Sequence, residues 1–105
     1  MVISQIALAQ TLGTSKGYIT ILRSPNYESN TIYFKMNPMP SGVTQWLYLR
    51  GDSNTRAGCS VKGTLYTLNR TFSLLTTAKA TGAEVSVHYC IDSNGYGLIR
   101  YVELL

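Results

Sequence analysis

The stretch that most constrains this chain runs from Leu68 to Tyr89, where one helix signal, one glycine and one strand signal follow each other directly. Asn69 suits a helix N-cap, because its side-chain oxygen can accept a hydrogen bond from an amide that the first turn leaves unpaired. Phe72, Leu75 and Ala78 then recur at three-residue spacing with Leu74 beside them, which gives a narrow apolar stripe. Gly82 suits the left-handed residue that ends a helix. After it the period becomes two, with Val85, Val87 and Tyr89 on one face and Ser86 and His88 on the other.

A chain of 105 residues is expected to form one domain, spanning 1–105, around one small core. The 45% hydrophobic and 13% charged content describes an ordered globular protein rather than a disordered one. Eight tyrosines outnumber two phenylalanines and one tryptophan, a balance that favours strands with one polar face. The net charge of +4 permits an acidic partner, whether sialylated glycan, nucleic acid or anionic lipid, but the basic residues form no run.

In chain order, residues 1–12 carry no charge, and Ala7-Leu8-Ala9 has the small-x-small look of a signal-peptide cleavage site. Residues 2–9 are either the end of a signal or an edge strand or short helix. Nothing approaches the roughly 20 apolar residues of a membrane-spanning helix. Residues 13–17 read as a turn region, followed by a first strand at Tyr18–Leu22 and a loop opened by Ser24-Pro25-Asn26. A second strand covers Thr31–Met36, and Pro38 and Pro40 end it because neither can donate to a ladder. A third covers Val43–Leu49, and a short one Ala57–Val61. After the helix and the Glu84–Tyr89 strand, Asn94-Gly95-Tyr96-Gly97 makes a turn and Leu98–Leu104 closes the chain. The expectation is a mainly β protein with one helix. A small antiparallel sheet must curl or be covered, and an OB-fold-like barrel does both; a helix packed on an antiparallel sheet is the alternative α+β arrangement.

Five segments carry a family resemblance: Gly17-Tyr18-Ile19-Thr20, Ile32-Tyr33-Phe34, Ala57-Gly58-Cys59-Ser60, Thr71-Phe72-Ser73-Leu74-Leu75 and Thr81 to Tyr89. In this order and with these gaps, over residues 15–90, the chain resembles the B subunits of the pertussis-toxin-like group, among them those of subtilase cytotoxin and typhoid toxin. It is also similar to small secreted OB-type proteins of bacteria. The toxin resemblance implies a secreted or periplasmic OB-fold subunit in a homopentamer, with helices lining a pore, an enzymatic A subunit as partner, and cell-surface glycans, sialylated ones among them, bound on the rim. The family's ligand serine and tyrosine fall on Ser15 and Tyr89. A hydroxyl and a phenol suit sugar binding, and both residue types also serve in turns and packing.

The chain departs from that family at three places. The family cysteine after the Tyr-Phe pair is replaced by Lys35, and the second cysteine is Cys90. In an exported domain Cys59 and Cys90 can form a disulfide; otherwise they are two buried thiols. The segment after Tyr89 is also shorter than in the toxin subunits.

Little else carries chemistry. His88 is the one histidine, no carboxylate pair or nucleophile lies at a diagnostic spacing, and the ligands for a metal are too few, so neither enzyme activity nor a cofactor is expected. Arg50-Gly51-Asp52 spells an integrin-type tripeptide in ordinary turn usage. Three readings follow: a non-enzymatic glycan-binding subunit, a single-strand nucleic-acid binder that stacks bases on Tyr18, Tyr33 and Tyr48, or a secreted module that binds another protein.

Overall fold

A computed structural model of the chain describes residues 11–23, 30–52, 54–56, 58–61 and 63–105. The elements are β1 (Thr11–Leu22), β2 (Thr31–Asn37), β3 (Leu47–Arg50), β4 (Asn54–Arg56), β5 (Cys59–Val61), α1 (Leu65–Thr81), β6 (Glu84–Ile91) and β7 (Gly97–Leu104). Five strands close a barrel in the order β1-β2-β3-β7-β6, while β4 and β5 form a separate two-stranded sheet. All barrel pairs are antiparallel except β3–β7, which closes the barrel in parallel. This is a small OB-fold-like barrel, with the helix on the connection between the third and fourth barrel strands.

The long first strand makes closure possible. Thr11 to Tyr18 pair with Ile91 to Glu84, and Tyr18 to Leu22 pair with Asn37 to Phe34, so Tyr18 is shared by both neighbours. Beside the changeover, a Cβ on Gly17 would come within 2.7 Å of the Asn37 carbonyl oxygen, so the two strands approach only because no side chain intervenes. A bulge between Ile19 and Ile21 adds local bend. Residues 13–17, expected as a turn, are therefore strand. Glycine here permits close approach rather than reversal.

Strand β2 alternates as a half-buried strand should. Ile32, Phe34 and Met36 point into the core, and Tyr33 and Lys35 point outward. Strand β6 sends Val85, Val87 and Tyr89 inward, the face expected of it. The third strand is shorter than expected. Val43 is buried, but Thr44 and Gln45 give their amides to the Gly95 carbonyl, so residues 43–46 are a loop held by the β6–β7 turn.

The helix begins earlier than Asn69. Its N-cap is Thr64, whose hydroxyl accepts from the Thr67 amide at 3.1 Å while the Thr67 hydroxyl accepts from the Thr64 amide at 3.0 Å. Leu68 is consequently a buried helical residue that extends the stripe of Leu75 and Ala78, with Phe72 and Leu74 packed beside them. Gly82 ends the helix in the left-handed region at φ 68°, as expected. The apolar stripe meets β1, β2, β3 and β7 and covers one end of the barrel. Among the described residues, no helix is long and apolar enough to cross a membrane. Residues 2–9, Ser24-Pro25-Asn26 and Ala57 lie outside the described residues.

Candidate functional site

The outer face of β2 and β3 is built from cross-strand rows. Tyr33 stands directly opposite Tyr48, and Thr31 opposite Arg50. The two tyrosine rings stack with centroids 6.0 Å apart, and Tyr96, from the β6–β7 turn, meets Tyr48 edge-on at 5.8 Å. These three rings, Asp92 and Asn94 enclose a cavity of about 100 Å³. Tyr48 is only 2% exposed and forms its floor, while Tyr33, Tyr96 and Asn94 stand at its rim.

Asp92 is the polar centre of this cavity and is 5% exposed. Its Oδ1 accepts the amides of Asn94 at 2.9 Å and Tyr96 at 3.0 Å, which shapes the turn. Its Oδ2 accepts the Tyr48 hydroxyl at 3.3 Å. A carboxylate offers about four lone-pair positions, so these three bonds leave capacity for a ligand hydroxyl.

One strand pitch away, Trp46 carries two cations. The Arg23 guanidinium carbon lies 4.3 Å and the Lys35 ammonium 4.5 Å from its ring centroid. Lys35 and Tyr33 are two residues apart on one face of β2, roughly 7 Å, so the basic aromatic patch and the tyrosine cavity adjoin. In barrels of this type, the second and third strands and the loop between the last two are the usual ligand-binding surface.

Ser15 and Tyr89 lie elsewhere. Ser15 pairs with Val87 and Gly13 with Tyr89, so Ser15 and Tyr89 are diagonal neighbours on the inward face of β1 and β6. The structure does bring them together, but Tyr89 is 4% exposed and packs in the main core. Its ring lies over Gly13, where a Cβ would meet Cζ and Oη at 2.6 Å. Burial raises the Tyr89 phenol above its ordinary value. The phenol expected at a rim is thus committed to packing.

Cys59 and Cys90 are joined by a disulfide across 31 residues, with Cα atoms 5.9 Å apart. Both are fully buried and pack with Tyr48 and Leu98, so the bridge supports the cavity floor from behind.

On the opposite flank, His88 Nε2 is 2.7 Å from Glu103 Oε1, and its Nδ1 is 3.1 Å from the Thr14 hydroxyl. A carboxylate only accepts, so in the neutral ring Nε2 carries the proton and Nδ1 accepts from Thr14. The imidazole also stacks on Tyr101 at 3.8 Å. This arrangement ties three strands together. Arg50 turns back onto Asp52, with Nε 3.2 Å from Oδ1, so the Arg-Gly-Asp tripeptide pairs internally. Among the described residues, no group of three or more His, Cys, Asp or Glu side chains could hold a metal ion.

Of the three tyrosines expected to stack bases, the structure unites Tyr33 and Tyr48 but buries Tyr48 beneath the other rings; Tyr18 is half exposed at the β1 changeover. Sequence reasoning missed Asp92 and Tyr96, and their signal was present: Asp-Ser-Asn-Gly-Tyr is an Asx-turn pattern next to an aromatic. No family model matches the chain, and no curated protein or solved structure matches it either.

Proposed function

We propose that this protein is a non-enzymatic glycan-binding module that takes a sugar on the outer face of β2 and β3. The observation that carries the reading is the buried Asp92 carboxylate set among three tyrosine rings. A pyranose presents an apolar C–H face and a ring of hydroxyls. Tyr33 and Tyr96 supply flat apolar surface to the first, while Asp92 and Asn94 supply hydrogen bonds to the second. A carboxylate at the centre favours an uncharged sugar unit there. An attached acidic unit, such as a sialic acid, would then extend toward Arg23 and Lys35 at Trp46. The contacts are assigned to Tyr33, Asp92 and Tyr96 in place of Ser15 and Tyr89.

The resemblance to toxin B subunits supports the same reading and adds three parts to it: an exported location, a homopentameric ring and an enzymatic A subunit as partner. The Cys59–Cys90 disulfide suits an oxidising compartment. A solution mass of five chains by light scattering is the expected result for the ring; a monomer removes the ring and leaves the sugar site standing.

The experiment for the site is a glycan array followed by titration of the best hit. Tyr33→Ala and Asp92→Asn should each weaken binding about tenfold or more, in protein whose far-ultraviolet circular dichroism at the assay temperature matches the parent's. Unchanged glycan affinity in both variants would remove the site. A second reading, single-strand nucleic-acid binding, draws on Trp46 with its two cations. It requires salt-sensitive retention of an oligonucleotide that Trp46→Ala abolishes and Asp92→Asn leaves intact.

A further inference from the structure

A groove of about 390 Å³ lies between α1 and β7, lined by none of the residues of the tyrosine cavity. We propose that this groove binds a small phosphate monoester with an apolar body, gripped by Arg70 and Arg100. The two guanidinium groups come from different elements. Arg70 belongs to the helical series Thr67, Arg70, Thr71 and Leu74, spaced i, i+3, i+4 and i+7, which puts all four on one stripe over the groove. That stripe is a flank of the helix beside the apolar face of Leu68, Leu75 and Ala78 that packs on the barrel, with Thr67 and Arg70 exposed and Thr71 and Leu74 half-buried.

Arg100 arrives by a different device. His88 pairs with Tyr101 and Tyr89 with Ile99, so Arg100 is the extra residue of a β-bulge in β7. A bulge re-aims the side chain it carries, and this one lines the groove opposite Arg70. Among the described residues, the ion pairs are Arg50–Asp52 and His88–Glu103, so neither groove arginine is neutralised by a carboxylate. Among the described residues, no acidic side chain lines the groove. Arg70 is steadied by Tyr66, whose hydroxyl accepts from Nη1 at 3.5 Å and whose ring centroid lies 5.4 Å from the guanidinium carbon.

The charge count selects the ligand. Two unneutralised guanidiniums match the charge of a phosphate monoester, about −1.5 to −2 near neutral pH, better than the single charge of a carboxylate or sulfate ester. Their fork geometry suits its three oxygens. The Thr67 hydroxyl is spent on the helix cap, so Thr71 and Tyr101 supply the neutral donors. Leu74 and Val102 form an apolar floor, which favours an organic phosphate over the bare ion.

The test titrates the intact protein with phenyl phosphate, inorganic phosphate, phenyl sulfate and benzoate, followed by amide NMR shifts. Phenyl phosphate should move the Thr67, Thr71 and Tyr101 amides and bind roughly tenfold more tightly than each of the other three. Arg70→Gln and Arg100→Gln, both solvent-facing changes, should each weaken it about tenfold or more, and Lys16→Gln should not. Absence of binding at millimolar phenyl phosphate, shifts scattered away from the groove, an equal effect of Lys16→Gln, or equal affinity for phenyl sulfate would overturn the proposal. The sugar-site variant Tyr33→Ala should leave this titration unchanged, so the two sites stand or fall separately.

Discussion

Gly13 and Tyr89 share one place in the barrel, the glycine giving up the volume that the phenol ring fills. The burial that this fit imposes also raises the phenol's pKa. A group whose folded pKa exceeds its unfolded value gives stability that is complete below the unfolded pKa, about 10 for tyrosine, and is lost as pH rises through the folded one. Folding stability should therefore decline above about pH 10, because only the unfolded chain ionises this phenol freely. Tyr89→Phe keeps the ring and removes the proton. Urea unfolding at about pH 8 and about pH 10.5 should show the variant losing less stability between the two than the parent. Equal losses would mean that Tyr89 titrates as if exposed. Its ring would then be available for the sugar contact first expected of it.

At the scale of elements, the helix separates two kinds of sequence signal. Gly82 was legible because a positive φ after an apolar stripe is a local demand that few residues meet. Thr64 was not, because its capping partner is Thr67 rather than Glu or Gln and the first turn holds no acidic residue. Asn69 offered the better capping side chain and drew the boundary a turn too late. The two assignments make opposite predictions. Thr64→Ala should cost about 0.5–2 kcal/mol by thermal or urea unfolding. Asn69→Ala, at an exposed helical position, should be neutral or stabilise by up to about 0.5 kcal/mol. The same distinction holds for strands. The alternation of Ile32, Phe34 and Met36 announced β2, whereas Gly13 to Gly17 read as a turn because the reason for their small size lies in Tyr89 and Asn37, far away in sequence. The candidate site was half legible for this reason. Its tyrosines stand out in the composition, but Asp92 and Tyr96 join them only through the parallel β3–β7 closure, where Tyr48 meets Leu98.

For the whole molecule, the decisive constraint is the bridge across the crossover that carries α1. The β3–β7 ladder is the shortest in the barrel, with Leu47 opposite Gly97 and Tyr48 opposite Leu98, and the chain between those strands must return from β4, β5, α1 and β6 to make it. Cys59–Cys90 fixes β5 to β6 over that excursion. Closing a loop of 31 residues in the unfolded chain is worth about 3–4 kcal/mol. For a domain of this size, each kcal/mol shifts Tm by about 4–8 °C, so Cys59→Ala with Cys90→Ala should lower it by roughly 15 to 30 °C. The lesion should also be local. Tyr48 packs on the bridge and forms the cavity floor, so the near-ultraviolet circular dichroism of the tyrosines should weaken at temperatures where the far-ultraviolet strand signal persists. Sugar affinity should fall in step with the near-ultraviolet signal, because Asp92 takes its Tyr48 hydrogen bond from the same floor. A double variant that keeps both its Tm and its aromatic signal would mean that the strand ladder alone holds the crossover, and the bridge would then be incidental to the site.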